Sequence, residues 1–130
     1  MVIDSSALVA ILLEETEGVL FTELISQERY RLVSATSFVE TSIVIGSRYG
    51  PSGLEQLSAL IQENEIAVVP FTKEQAEVAS QAYFMYGKGR HPAKLNFGDC
   101  CSYALSKVVK QPLLFKGNDF SQTDTDCISY

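Results

Sequence analysis

Short apolar runs alternate with longer stretches of helical period along this chain, and that alternation leaves few folds open to it. The runs are residues 1–3, Arg31 to Ser34, Ile66 to Val69 and Leu113 to Phe115, with a last short one from Cys127 to Ser129. After the first comes Ala7 to Leu13, apolar nearly all round and therefore expected to be buried. A helix over about 16–28 follows, with Val19, Leu20, Leu24 and Ile25 at helical spacing. Ser5 or Ser6 is placed to cap the first helix. Thr36 or Ser37 is placed to cap a third, which stops at Gly50 before Pro51. Pro51 to Asn64 reads as a fourth helix with Leu54, Leu57, Leu60 and Ile61 inward. Thr72 caps a fifth that runs to about Tyr86, and a sixth carries Asp99 in its first turn and ends near Lys110. The pattern predicts an α/β fold, a mainly parallel sheet of four to five strands flanked by helices on both faces. At 130 residues, the span 1–130 is expected to form a single domain.

The composition narrows the chemistry. His91 is the one histidine, so a mechanism needing two imidazoles cannot run within one chain. Cys100, Cys101 and Cys127 have neither a disulfide framework nor a zinc spacing, and they read as small hydrophobes. Hydrolysis would have to rest on carboxylates, which favour hard cations such as magnesium or manganese. The formal net charge is −6, which argues at first against a nucleic-acid partner. Yet residues 88–116 hold six basic side chains (Lys88, Arg90, Lys94, Lys107, Lys110 and Lys116) against Asp99 alone. Such a segment in an acidic molecule can meet a phosphate backbone. The opening residues lack the features of a signal peptide and no apolar run reaches membrane-span length, so a cytoplasmic protein is expected.

Four acids share one expected place. Parallel sheets bind ligands outside the carboxyl ends of their strands. Asp4 follows the first strand and Asp119 the fourth, Asp99 opens the helix before the fourth, and Glu40 lies in the helix after the second. Glu40 sits beside an apolar stripe that includes Ile43 and Val44, where a carboxylate is costly unless paired or ligating. Carboxylates gathered at one edge repel one another, and a divalent cation removes that penalty. Magnesium keeps several waters and takes one or two carboxylates directly. That suits phosphodiester hydrolysis, with Arg90 and Lys94 holding the substrate backbone. The loop from Gly87 to Pro92, expected to be mobile, carries neither a dinucleotide fingerprint nor a phosphate loop.

Taken together, Val2-Ile3-Asp4-Ser5-Ser6-Ala7-Leu8, Glu40, His91 to Cys100, and Leu113 to Phe120 followed by Thr123-Asp124 resemble PIN-domain ribonucleases of the VapC toxin type. The resemblance spans nearly the whole chain. It implies a metal-dependent endoribonuclease, a hydrolase using Mg2+ or Mn2+, that acts as the toxin of a toxin–antitoxin pair. It also implies a homodimer and silencing by a cognate antitoxin protein. Carried over by motif, Asp4, Glu40, Asp99 and Asp119 match the acidic quartet, with Asp4 and Asp99 as direct metal ligands. Ser6 and Asn118 match supporting positions, and Asp124 matches a more variable acid. Ser5 stands where the family usually has threonine.

Two other classes compete. A response-regulator receiver domain would use Lys116 after the fourth strand, but it needs a paired acid at the first strand and an aspartate after the third. Ser5 and Ser6 follow Asp4, and Val68 to Phe71 contains no acid. A non-catalytic acidic α/β module that binds a basic partner peptide is separated from a nuclease by metal-dependent RNA cleavage.

Overall fold

A computed structural model describes residues 1–130. Its elements in order are β1 (Val2–Ile3), α1 (Ser5–Leu12), α2 (Gly18–Gln27), β2 (Leu32–Ser34), α3 (Ala35–Glu63), β3 (Ala67–Val69), α4 (Lys73–Tyr86), α5 (Phe97–Val109) and β4 (Leu113–Leu114). A short 3-10 turn, Phe120–Gln122, follows. The four strands are all parallel, in the order β3-β2-β1-β4. The chain thus adds β2 and β3 on one side of β1 and returns to place β4 on the other. The carboxyl end of β1 lies where that order reverses, which is where open parallel sheets hold ligands. The expected fifth strand reduces to one parallel bridge between Leu113 and Cys127, because the tail bonds only through Asp126 O and Ile128 N.

Adjacent strand residues point to opposite faces, so each two-residue strand serves two cores. Val2 and Leu113 join Ala79, Ala82, Leu95, Ala104 and Leu105 beneath α4 and α5. Ile3 and Leu114 join Ala7, Leu8, Phe21, Ile25 and Val33 beneath α1 and α2. Cys100 and Cys101 are buried and all three cysteines are free, with burial pushing the Cys100 thiol up to about 12. No helix is long and apolar enough to cross a membrane.

Several local expectations shift. The cap of α1 is Asp4, one residue before the serines, its carboxylate accepting from Ser6 N–H. The cap of α3 is Ser34, accepting from Thr36 N–H, rather than Thr36 or Ser37. The predicted third and fourth helices run together as α3, broken only at Gly50, whose φ of 63° ahead of Pro51 sets the kink. The buried line of the first half of α3 is Ser37, Thr41 and Ile45, while Ile43, Val44 and also Leu54 are exposed. Residues 87–92 form a bonded turn. Gly87 pairs with Leu95, Arg90 and His91 N–H donate to Gly87 O, and His91 Nδ1 accepts from Ala93 N–H at 3.1 Å.

Candidate active site

Asp4 is the first residue past β1, and its N–H still donates to Leu114 O at 2.9 Å, so the sheet itself fixes its backbone. The side chain is buried, with 2% of the residue exposed. Its Oδ2 accepts from Ser6 N at 3.0 Å and Ser6 Oγ at 2.7 Å, and its Oδ1 accepts from Ser102 Oγ at 2.5 Å. Ser6 Oγ in turn accepts from Lys116 N–H at 3.0 Å. One hydroxyl therefore ties the ends of β1 and β4 together.

Glu40, in the second turn of α3, reaches back across this edge. Its Oε1 accepts from Ser5 Oγ at 2.8 Å. Its Oε2 lies against Gly98 at the start of α5, so that a Cβ built on Gly98 would collide with it and stand 3.1 Å from the carboxyl carbon. Only glycine leaves room for that carboxylate.

Asp99 closes a capping box. Its N–H donates to Asn96 Oδ1 and its Oδ2 accepts from Asn96 N–H, both at 2.9 Å. Burial pushes its carboxyl up to about 7 against the lowering effect of the Asn96 N–H. The neighbouring charges of Asp4, Asp119 and Glu40 push the same way. Asp119, exposed, precedes the short turn at Phe120. The structure thus brings Asp4, Glu40 and Asp119 each within electrostatic reach of Asp99. Asn118 is exposed beside Asp119, and its carbonyl accepts from Ser121 Oγ at 2.6 Å.

Asp124 is placed elsewhere. Its carboxylate accepts from Tyr103 Oη at 2.6 Å and pairs with Lys107 at 3.1 Å, contacts that hold it below the usual aspartate range. Lys116 turns away from the acids to pair with Glu15 and Glu17, at 2.5 and 3.1 Å. Lys88, Arg90 and Lys94 form no ion pair and lie together on the turn leading into α5. The Arg90 guanidinium rests 4.9 Å from the Phe84 ring centroid. The apolar cavity of about 420 Å³ lined by Phe71, Tyr83, Phe84 and Phe97 includes none of the four acids.

No three acidic, histidine or cysteine side chains stand close enough to cage an ion by themselves. A cation that keeps most of its waters needs only one or two of them. The donors are hard carboxylate oxygens, and the charges of Asp4, Asp119 and Glu40, which add to burial in raising Asp99, are what a divalent cation would offset. The residues fit magnesium or manganese in this sense.

The PIN-domain family profile matches residues 1–126. The chain belongs to the PIN-domain family. Among relatives of this PIN domain, Ribonuclease VapC of Mycolicibacterium smegmatis is 48% identical over 128 residues, covering 98% of this chain and 99% of that protein. Ribonuclease VapC30 of Mycobacterium tuberculosis is 46% identical over 124 residues, covering 95% of each. The crystal structure of Mycobacterium tuberculosis VapC20, titled a Sarcin-Ricin loop cleaving toxin, superposes with a TM-score of 0.80 over 98% of this chain and 97% of that one. At 16% identity, that likeness speaks for the fold.

Ser5 and Gly98 lie within the matched motifs, but motif alone does not reveal their contacts. Ser37 and Ser102, hydrogen-bonded behind Asp4, lie outside a reading of the PIN-domain site by motif. Ser102 lies three residues after Asp99 and so shares its helix face, and Ser37 stands in the same relation before Glu40. Those spacings were the available signal.

Proposed function

We propose that the protein is a Mg2+- or Mn2+-dependent endoribonuclease, the toxin of a toxin–antitoxin pair acting in the cytoplasm. Asp4, Glu40, Asp99 and Asp119 form its acidic centre in this reading. The observation that carries it is that Asp4, Asp119 and Glu40 all act on Asp99 at the carboxyl edge of the sheet, adding to the burial that raises its carboxyl. The family and its VapC ribonuclease relatives support the same reading. Asp4 and Asp99 would hold the cation. When bound, it would supply an activated water and offset negative charge on a phosphoryl oxygen. Ser6 and Ser102 hold the Asp4 carboxylate, and Ser5 holds that of Glu40. Lys88, Arg90 and Lys94 would position RNA by its phosphates. RNA incubated with the purified protein and Mg2+ is expected to be cut internally, and excess chelator to stop the cutting.

Lys94→Ala tests the approach of RNA. The side chain is exposed and without an ionic partner, so its loss should leave the fold intact. Binding isotherms over a salt series should show weaker binding and a log–log slope reduced by about one unit. An unchanged slope removes Lys94 from the RNA path.

The family resemblance implies a homodimer and a cognate antitoxin. Exposed Val39, Ile43 and Val44 on α3, and Phe84 and Met85 on α4, provide apolar faces suited to protein partners.

A further inference from the structure

Ser102 does more than fill the interface between α5 and the sheet. It is fully buried, as is Ser37, and the two hydroxyls lie 3.0 Å apart. An ionised carboxylate only accepts hydrogen bonds, so the single Ser102 proton goes to Asp4 Oδ1. Ser102 Oγ is left as an acceptor, and Ser37 must donate to it. A directed relay therefore runs from α3 through α5 to the end of β1.

Counting acceptor positions on Asp4 gives this relay a purpose. Each carboxylate oxygen offers two lone-pair directions. Oδ2 accepts both Ser6 N–H and Ser6 Oγ–H, so both of its directions are taken. Oδ1 accepts Ser102 alone and keeps one. We propose that Ser102, oriented by Ser37, is a positioning residue that makes Asp4 a one-oxygen metal ligand through Oδ1. The inference rests on the metal-dependent reading above. Without the Ser102 hydroxyl, the carboxylate is held by Ser6 through Oδ2 alone, and Oδ1 loses the contact that fixes its direction. Partners of metal ligands commonly contribute about 10–100-fold in metal affinity.

The test is Mn2+ titration of the full chain by calorimetry, without RNA and well below the melting temperature, for the parent, Ser102→Ala, Ser102→Thr and Ser37→Ala. Ser102→Ala is expected to weaken Mn2+ binding about 10-fold or more. Ser102→Thr restores the hydroxyl and should recover most of that affinity. Ser37→Ala leaves the Ser102–Asp4 bond in place and should cost less than Ser102→Ala, and it carries the test if Ser102→Ala does not fold. A Ser102→Ala protein that melts earlier but binds Mn2+ as the parent does overturns the proposal, leaving Ser102 a packing residue. Equal affinities across all variants overturn it too, while the metal-nuclease reading stands. A parent that binds no Mn2+ overturns both.

Discussion

Asp99→Asn should make the metal-free protein more stable at pH 8 and at the same time end its ability to cut RNA. In the fold, burial and the charges of Asp4, Asp119 and Glu40 push the Asp99 carboxyl up to about 7 from an ordinary value of 3.8. A carboxyl raised in the folded state binds more protons there than in the unfolded chain. Its contribution is therefore most favourable at low pH, is lost as pH rises from about 4 to about 7, and stays lost above that. Asparagine keeps an oxygen for Asn96 N–H, so the capping box retains its acceptor while the charge is removed. Calorimetric melting in excess chelator should show the parent losing stability between pH 5 and pH 8, and the variant losing much less. Added Mg2+ should stabilise the parent at pH 8 more than the variant. Cleavage should fall on the order of 100-fold or more, because the side chain proposed to hold the cation is gone. Parallel pH curves for the two proteins would mean that Asp99 does not carry the repulsion assigned to it.

Gly98→Ala should produce the second large effect, and it separates activity from stability. A methyl group there collides with Glu40 Oε2 and stands 3.4 Å from Asn96 Oδ1. Glu40 is a flexible, exposed side chain, so it can give way at little cost to the fold. Alanine in a helix is also favoured over glycine by up to about 1 kcal/mol. Thermal stability should then be unchanged or slightly higher. The displaced carboxylate loses its bond from Ser5 and its place beside Asp99. A misplacement of about 1 Å costs as much as 100-fold in rate, so kcat for RNA cleavage should drop by about 10–100-fold with KM little altered. A variant that cuts at the parental rate would show that Glu40 is not needed where it stands.

The parallel architecture was legible because β1, β2 and β4 are largely buried and the strands are separated by helices of clear period, even where a strand is only Val2–Ile3. The nearness of the acids to Asp99 was legible for a related reason. In a parallel sheet every strand ends at the same edge, so Asp4 and Asp119 could be placed together without knowing a distance. Cap positions were less so. Asp4-Ser5-Ser6 and Ser34-Ala35-Thr36-Ser37 each offer several capping side chains in a row, and backbone angles decide among them. The face of α3 was misread for a different reason. Hydropathy favours Ile43 and Val44, but the helix turns its small hydroxyl line, Ser37 and Thr41, inward. There Ser37 and Ser102 satisfy each other across the contact with α5. Gly98 and Ser102 were illegible because their roles depend on what lies across an interface, and local pattern carries no record of that. The 87–92 turn looked loose from its glycines, while Gly87 N–H donates to Tyr83 O and Lys88 N–H to Leu95 O on its flanks.

Asp4, Glu40, Asp99 and Asp119 are proposed to work together on a divalent cation to cut RNA. The most direct measurement is the initial rate of RNA cleavage as Mg2+ is titrated into chelator-treated protein, for the parent and for Asp4→Asn. The parent is expected to be silent without metal and to rise to saturation as Mg2+ is added. Asp4→Asn should remain at least about 100-fold slower at every concentration while folded. A parent that cuts equally well in chelator, or an Asp4→Asn protein that matches it at saturating Mg2+, would mean that these carboxylates do not cut RNA through a divalent cation. A folded parent that never cuts but binds a basic peptide at the same acids would replace the enzyme with a binding module.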